Sequence, residues 1–260
     1  MKILFLGDVV GRPGRQAVAD LLPNLIAEHG ADFVIVNCEN AAAGYGVTPA
    51  TAQELIDAGA NCLTSGNHIW KQKEAFDLLD ADERILRPAN YPPGAPGRGW
   101  NLFSTGDGTR IAVVNLQGRV FMEPVDCPFR AADAILAELS GKTDHILIDF
   151  HAEATSEKCA LGWYLDGRVT AVVGTHTHVQ TSDERILPGG TAYISDAGMC
   201  GALDSVIGVD KDIAVTRFVR GLPVRFTVPK KGPATVEGVV VETDASTGRA
   251  TAIRRIRVTV

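Results

Sequence analysis

The chain alternates short, wholly apolar runs with stretches of helical spacing. Lys2-Ile3-Leu4-Phe5-Leu6-Gly7 opens it, Phe33-Val34-Ile35-Val36 follows, and Cys62-Leu63-Thr64 is a third, shorter run. Continuous apolar runs of this length fit strands covered on both faces, as in sheets flanked by helices. Between the first two, apolar residues recur at Val18, Leu21, Leu22, Leu25 and Ile26, the spacing of an amphipathic helix that stops near Gly30. Pro23 inside that pattern predicts a kink or a broken helix. Thr48-Pro49 reads as the N-cap and first position of another helix, with Gly59 as its stop.

The pattern continues with strands at Ile111–Leu116, His145–Phe150 and Val169–Val173, and with a helix over Pro128–Leu139. Arg87–Gly99, rich in Pro and Gly, reads as a long surface loop and not a linker, because strand-like material resumes on both sides. From Ala192 onward the pattern predicts mostly β structure: Ala192–Ser195, Ile213–Val219, Val224–Val228, Val236–Glu242 and Ala252–Val260. The alternation of strands and helices predicts an α/β fold, and the unbroken pattern a single domain over residues 1–260.

Most of the apolar runs end in residues able to do chemistry. Asp8 closes the first, Glu39-Asn40 the second, Asn67-His68 the third and His151 a later one, while Val169–Val173 runs into Gly174-Thr175-His176-Thr177-His178. The carboxyl ends of strands are where open α/β sheets build their sites. Each of these residues alone reads as a cap, a turn or a structural histidine. Their shared placement makes them a set of two carboxylates, two carboxamides and four imidazoles. Such a set exceeds the needs of one ion and suits two borderline ions, iron, manganese or zinc, bridged by a carboxylate. The absence of sulfur disfavours a structural zinc site. Two ions about 3.5–4 Å apart generate hydroxide at neutral pH and clamp a phosphoryl group, which points to phosphoester hydrolysis. His29 and His145 read as structural, Asp149, Glu153 and Glu157 as flanking His151, and Arg12 and Tyr45 as weaker candidates for substrate contacts.

Composition narrows the class further. With 45% hydrophobic and 22% charged residues the chain is an ordinary globular one, and no apolar run nears the roughly 18 residues of a membrane span. The opening apolar run is too short for a signal peptide. Five scattered cysteines without Cys-x-x-Cys spacing predict reduced thiols and a cytoplasmic protein. The net charge of −6 is uneven: residues 211–260 carry 10 Lys/Arg against 4 Asp/Glu, so the remainder is strongly acidic. An acidic body suits bound cations and a basic end a phosphate-bearing substrate.

Asp8, the acidic residue after the second strand, Gly66-Asn67-His68, His151 and Gly174-Thr175-His176-Thr177-His178 together resemble the calcineurin-like metallophosphoesterases in order and broad spacing over roughly residues 1–205. Val10 stands where that superfamily has a histidine, and Glu39-Asn40 where it has a bridging aspartate. These departures, with Lys2-Ile3-Leu4-Phe5-Leu6-Gly7-Asp8-Val9-Val10-Gly11 and Asn37-Cys38-Glu39-Asn40-Ala41, resemble the YmdB-like branch. The resemblance implies a four-layer α/β/β/α sandwich and hydrolysis of small cyclic nucleotides, notably 2′,3′-cyclic ones and also 3′,5′-cyclic AMP, by a metal-bridging hydroxide. It implies a centre of two iron or manganese ions, with zinc also accepted. Asp8, Glu39, Asn40 and His178 would hold the first ion, and a bridging Glu39 with Asn67, His151 and His176 the second. Asn40 would replace the missing histidine, and His68 would be the catalytic acid or charge stabiliser. The expected partners are a cyclic nucleotide and further copies of the chain, with no membrane and with nucleic acid disfavoured. Two alternatives stay open: a phosphomonoesterase or nucleotidase on the same centre, or a regulatory RNA- or protein-binding factor with structural metals.

Overall fold

The computed structural model describes residues 1–260. Its elements in chain order are β1 (Lys2–Leu6), β2 (Asp8–Val9), α1 (Gly11–His29), β3 (Phe33–Asn37), α2 (Pro49–Asp57), β4 (Cys62–Thr64), α3 (Glu74–Ala81), β5 (Trp100–Ser104) and β6 (Arg110–Gln117). They continue with α4 (Pro128–Leu139), β7 (His145–His151), α5 (Thr155–Tyr164), β8 (Ala171–Thr175), β9 (Arg185–Ile186), β10 (Ala192–Ile194) and β11 (Met199–Ala202). A hairpin of β12 (Ser205–Val206) and β13 (Val209–Asp210), the helix α6 (Lys211–Arg220), and the long strands β14 (Ala234–Thr243) and β15 (Ala250–Thr259) complete the chain.

The strands form two main sheets. One runs β2-β11-β14-β1-β3-β4, with β15 paired to β14; the other runs β5-β6-β7-β8-β10-β9. β1, β3 and β4 are parallel, as are β6, β7, β8 and β10. Side chains alternate across each strand, and both faces of β1 are used. Ile3 and Phe5 pack toward the second sheet with Leu147, Val173 and Ile194, whereas Leu4 and Leu6 pack on the outer side with Val18, Leu22 and Leu55 of α1 and α2. α4 and α5 cover the outer face of the second sheet through Ile135, Leu139 and Leu161. Three apolar layers thus separate four structural ones, giving an α/β/β/α sandwich. Fully burying each such Leu, Ile or Phe contributes about 1.5–3 kcal/mol, so the runs are apolar throughout because both faces are covered.

Two expectations fail, and of the kink or break expected at Pro23 the break does not occur. Helix α1 begins at Gly11 and runs unbroken through Pro23 to His29. Pro23 sits on its exposed face, where water can satisfy the carbonyl that the missing N–H leaves free. Ile213–Val219 is helical, inside α6, because Asp210 caps the helix by accepting from the Asp212 and Ile213 N–H groups (3.0 and 3.2 Å) and Gly221 closes it in the left-handed region. Val224–Val228 forms no strand. Thr48, Pro49, the bounds of α4 and the strands ending at Thr64 and His151 agree with the pattern. No helix is long and apolar enough to cross a membrane.

Candidate metal centre

Parallel strands from both sheets end at one place. β1 and β2 deliver Asp8, β3 leads to Glu39 and Asn40, and β4 to Asn67 and His68, while β7 ends in His151 and β8 leads into His176 and His178. The backbone joins them first: the His176 N–H donates to Asp8 Oδ2 (3.0 Å), and the His68 N–H to Glu39 Oε1 (2.6 Å). Side chains then close the cluster. His151 Nε2 faces His176 Nδ1 at 3.1 Å and Glu39 Oε1 at 3.5 Å, and His178 Nε2 lies 3.9 Å from Asp8 Oδ1. Asn67 stands between His68 and Gly66, whose backbone lies so close to the His151 ring that a Cβ would overlap it. Seven of the eight residues singled out in the sequence therefore meet; Asn67 adjoins them in the chain, its Oδ1 buried without a partner.

Asn40 occupies the place of interest beside Val10. The two residues form an isolated parallel bridge between neighbouring strand ends, so the Asn40 side chain stands next to the position where the superfamily carries its histidine. Its amide donates from Nδ2 to His178 Nε2 (3.0 Å) and accepts at Oδ1 from His68 Nδ1 (2.8 Å). A half-turn of the amide would exchange the two atoms and direct the oxygen into the cluster. His68, whose orientation nothing in Ile69-Trp70 explains, is held instead by Glu39, Asn40 and the edge of the Tyr45 ring (centroids 5.0 Å apart).

The outer nitrogens of the histidines are already committed. His151 Nδ1 donates to Thr175 Oγ1 (2.9 Å), which itself donates to Asp149 Oδ1 (2.7 Å); His178 Nδ1 donates to the Ile207 carbonyl (2.8 Å); His176 Nε2 meets Glu153 Oε2 at 3.0 Å. Partners of this kind set which nitrogen carries the hydrogen. The inner nitrogens of neutral His151 and His176 then turn lone pairs toward each other across 3.1 Å. Burial keeps all three rings neutral by lowering their pKa values, with His176 pushed down to about 2. Burial also pushes the Asp8 carboxyl well up, aided by the negative charge of Asp196, and raises Glu39 to about 7 against the pull of His68. Asp8 Oδ1, Glu39 Oε2 and Asn67 Oδ1 are buried without any hydrogen-bond partner. Neutral imidazoles and orphaned hard oxygens are the donor types that cation sites use. The side chains now close on one another, and no three His, Cys, Asp or Glu groups form a ready coordination shell; the fit lies in the chemistry of the donors.

The His-x-His loop is strained and clamped. His176 and His178 both have positive φ, 102° and 63°, a region that costs a non-glycine residue on the order of 1–3 kcal/mol. Asp196 holds the residue between them, accepting from the Thr177 N–H (3.0 Å) and hydroxyl (2.8 Å), and Lys158 Nζ neutralises that carboxylate at 2.7 Å. Lys158 and Asp196 are both buried. This pair escapes a reading of the sequence as a site, although one signal is present: Lys158 shares the buried face of α5 with Leu161, where a lysine requires a carboxylate. Of the weaker candidates, Tyr45 lines the cavity beside the cluster, whereas Arg12 lies on the outer surface with Arg15 and Glu54 and takes no part. The cavity, about 390 Å³, also holds Asn40, His68, His176 and His178; two hollows of about 620 Å³ elsewhere contain none of the eight residues.

Comparison with known proteins agrees with this architecture. A family model described as YmdB-like protein matches residues 4–256. A Bacillus subtilis protein named 2′,3′-cyclic-nucleotide 2′-phosphodiesterase is 52% identical over 256 residues, covering 98% of this chain and 96% of that one. Among solved structures, a Mycoplasma pneumoniae protein described as a novel phosphatase superposes with a TM-score of 0.93 at 36% identity, over 100% of this chain and 93% of that one. A Thermus thermophilus protein described as hypothetical gives the same TM-score, 0.93, at 42% identity, over 100% and 99% of the two chains. The order of motifs, the four-layer sandwich and these matches converge: the chain belongs to the YmdB-like family, within the calcineurin-like metallophosphoesterases.

Proposed function

We propose that this phosphoric ester hydrolase opens the cyclic phosphodiester of small nucleotides, 2′,3′-cyclic nucleotides first and 3′,5′-cyclic AMP as a second substrate, at a dinuclear metal centre. The observation that carries the reading is the set of unsatisfied donors: Asp8 and Glu39 oxygens without partners beside facing imidazole lone pairs, with the equally unpartnered Asn67 oxygen next in the chain to His68. The name of the Bacillus subtilis relative supports the substrate class. Asp8, Glu39, Asn40 and His178 would hold one ion, and Glu39 with Asn67, His151 and His176 the other. Iron or manganese suits this mixture of nitrogen and oxygen donors, and zinc can occupy it. When bound, the ions acidify water at neutral pH and offset the negative charge on the phosphate oxygens.

The chain's own residues supply the rest. Thr175, Ile207 and Glu153 hold the three rings through the contacts given above and so set which nitrogen of each is left for an ion. His68 gives a proton to the leaving 2′-oxygen as its bond to phosphorus breaks, and a 3′-monophosphate departs. Water supplies the group that replaces the 2′-oxygen.

His68→Ala should keep wild-type metal content by elemental analysis and lose about 10²- to 10⁴-fold in turnover, the usual weight of a positioned acid or base. Near-wild-type turnover would remove His68 from the reaction. A panel of cyclic diesters and monoesters, run on protein purified anaerobically and reloaded with each metal, tests the substrate class. Faster release of phosphate from monoesters would instead make the chain a nucleotidase.

A further inference from the structure

The cavity has two unlike halves, and the proposed hydrolysis accounts for only one. Asn40, His68, His176 and His178 supply its polar lining, and Tyr45, Ile207, Phe226 and Val228 an apolar part. A phosphoryl group needs no apolar wall, and apolar side chains facing a wet cavity lose the benefit of burial. We infer that this wall is a slot for the nucleobase, with Phe226 as its stacking surface. The inference rests on the diesterase reading and specifies which part of the substrate the protein recognises beyond its phosphate.

Three observations show that the wall is built. First, Ile207 and Gly208 form the two-residue turn between β12 and β13, both with positive φ (48° and 92°). That turn favours Asn at its first position, and a β-branched residue there is an outlier. Here Ile207 holds His178 through its carbonyl, lines the cavity and is 48% exposed. Second, residues 224–228 are pinned although they form no strand: the Asp210 N–H donates to the Thr227 carbonyl (2.8 Å), and Val228 lies against Gly11 and Gly44. Third, the Arg217 guanidinium stands over the Phe226 ring, 4.6 Å from its centroid, and so restrains the ring. Tyr45 is fixed in turn by its edge contact with His68 and by its carbonyl, which accepts from Gln72 Nε2 (2.8 Å).

The chemistry of the substrate fits this division. In a 2′,3′-cyclic nucleotide the base leaves the ribose at C1′, the carbon next to C2′. A phosphate seated on the cluster therefore places the base within one sugar ring of it, inside the same cavity. Stacking accepts any base, since every base has a π-face.

The test compares kcat/KM for 2′,3′-cyclic AMP with kcat/KM for ribose 2′,3′-cyclic phosphate, which lacks a base. The wild type should prefer the nucleotide, and Phe226→Ala should lower that preference on the order of 10-fold, through KM, as removal of a base-stacking ring does. Phe226→Trp should restore it. Ile207→Asn, whose side chain suits the turn, guards against a folding defect and should also lower the preference. Calorimetric binding of adenosine 3′-monophosphate gives a readout that needs no turnover, and Phe226→Ala should weaken it by a similar factor. A wild-type preference near one, or a preference and a binding constant that Phe226→Ala leaves in place, overturns the slot. A wild type that hydrolyses neither compound, yet binds the nucleotide in a Phe226-dependent way, keeps the slot and overturns the diesterase reading.

Discussion

At Gly66 the backbone passes against the His151 ring, and at Gly174 it passes against the Ser195 carbonyl, with no room for a Cβ at either place. These close approaches explain why glycine opens both Gly66-Asn67-His68 and Gly174-Thr175-His176. Gly66→Ala should displace the His151 ring and weaken metal binding roughly 10- to 100-fold, the range seen when support of a ligand is lost. Gly106→Ala, where the added Cβ meets nothing, is the matched control, and competition with a chelating dye measures both. Equal affinities would mean that His151 does not depend on this contact. At this scale much is legible in the sequence, because donor type and position after an apolar run are properties of the chain itself. The supports are not: Asn37 donates to Asp149 at 2.9 Å across 112 residues, a pairing that no local pattern encodes.

Helix α5 shows how one element disciplines a loop on another. Its Lys158 reaches Asp196 beyond β10, and Asp196 holds Thr177 of the strained loop after β8. Lys158→Met leaves a buried carboxylate unpaired, a change that costs about 3–5 kcal/mol. In a chain of this size that lowers the melting temperature on the order of 10 °C. Lys158→Met combined with Asp196→Asn should recover part of the loss, since the uncompensated charge is then gone. A thermal scan of both decides it, and an unchanged Tm in the single variant would show that the pair carries no stability. Element boundaries are legible where caps or covered strands announce them, as at Thr48 and His151. α6 is not, because Ile213, Val215 and Val219 are β-branched and suggest a strand. Yet Val215, Phe218 and Val219 are spaced as one exposed helical face, and Asp210 and Gly221 cap its ends. The β propensity loses to the caps.

Across the whole molecule the two sheets bring their strand ends to a common edge, and the cluster there is held from both sides. Asp8 and His176 touch although they are 168 residues apart. Cation binding that satisfies the orphaned oxygens should therefore stabilise the entire sandwich. At 100 times its dissociation constant an ion adds about 2.7 kcal/mol, or on the order of 5–10 °C in Tm. Scans with excess manganese and after chelation measure it, and a Tm indifferent to metal would argue against the centre. The apolar runs determined that this chain forms covered sheets, since only burial on both faces suits them, and the polar residues after each run determined the chemistry available. Which donors lie together, how the His-x-His loop bears its strain, and that Phe226 and Ile207 line the same cavity were decided by tertiary structure alone. The reason is that these relations are distances between segments far apart in sequence, and the packing of one sheet on the other sets them. The nearness of Asn40 to Val10 lies between the two: the residue types are in the chain, but their adjacency comes from the bridge that joins two strand ends.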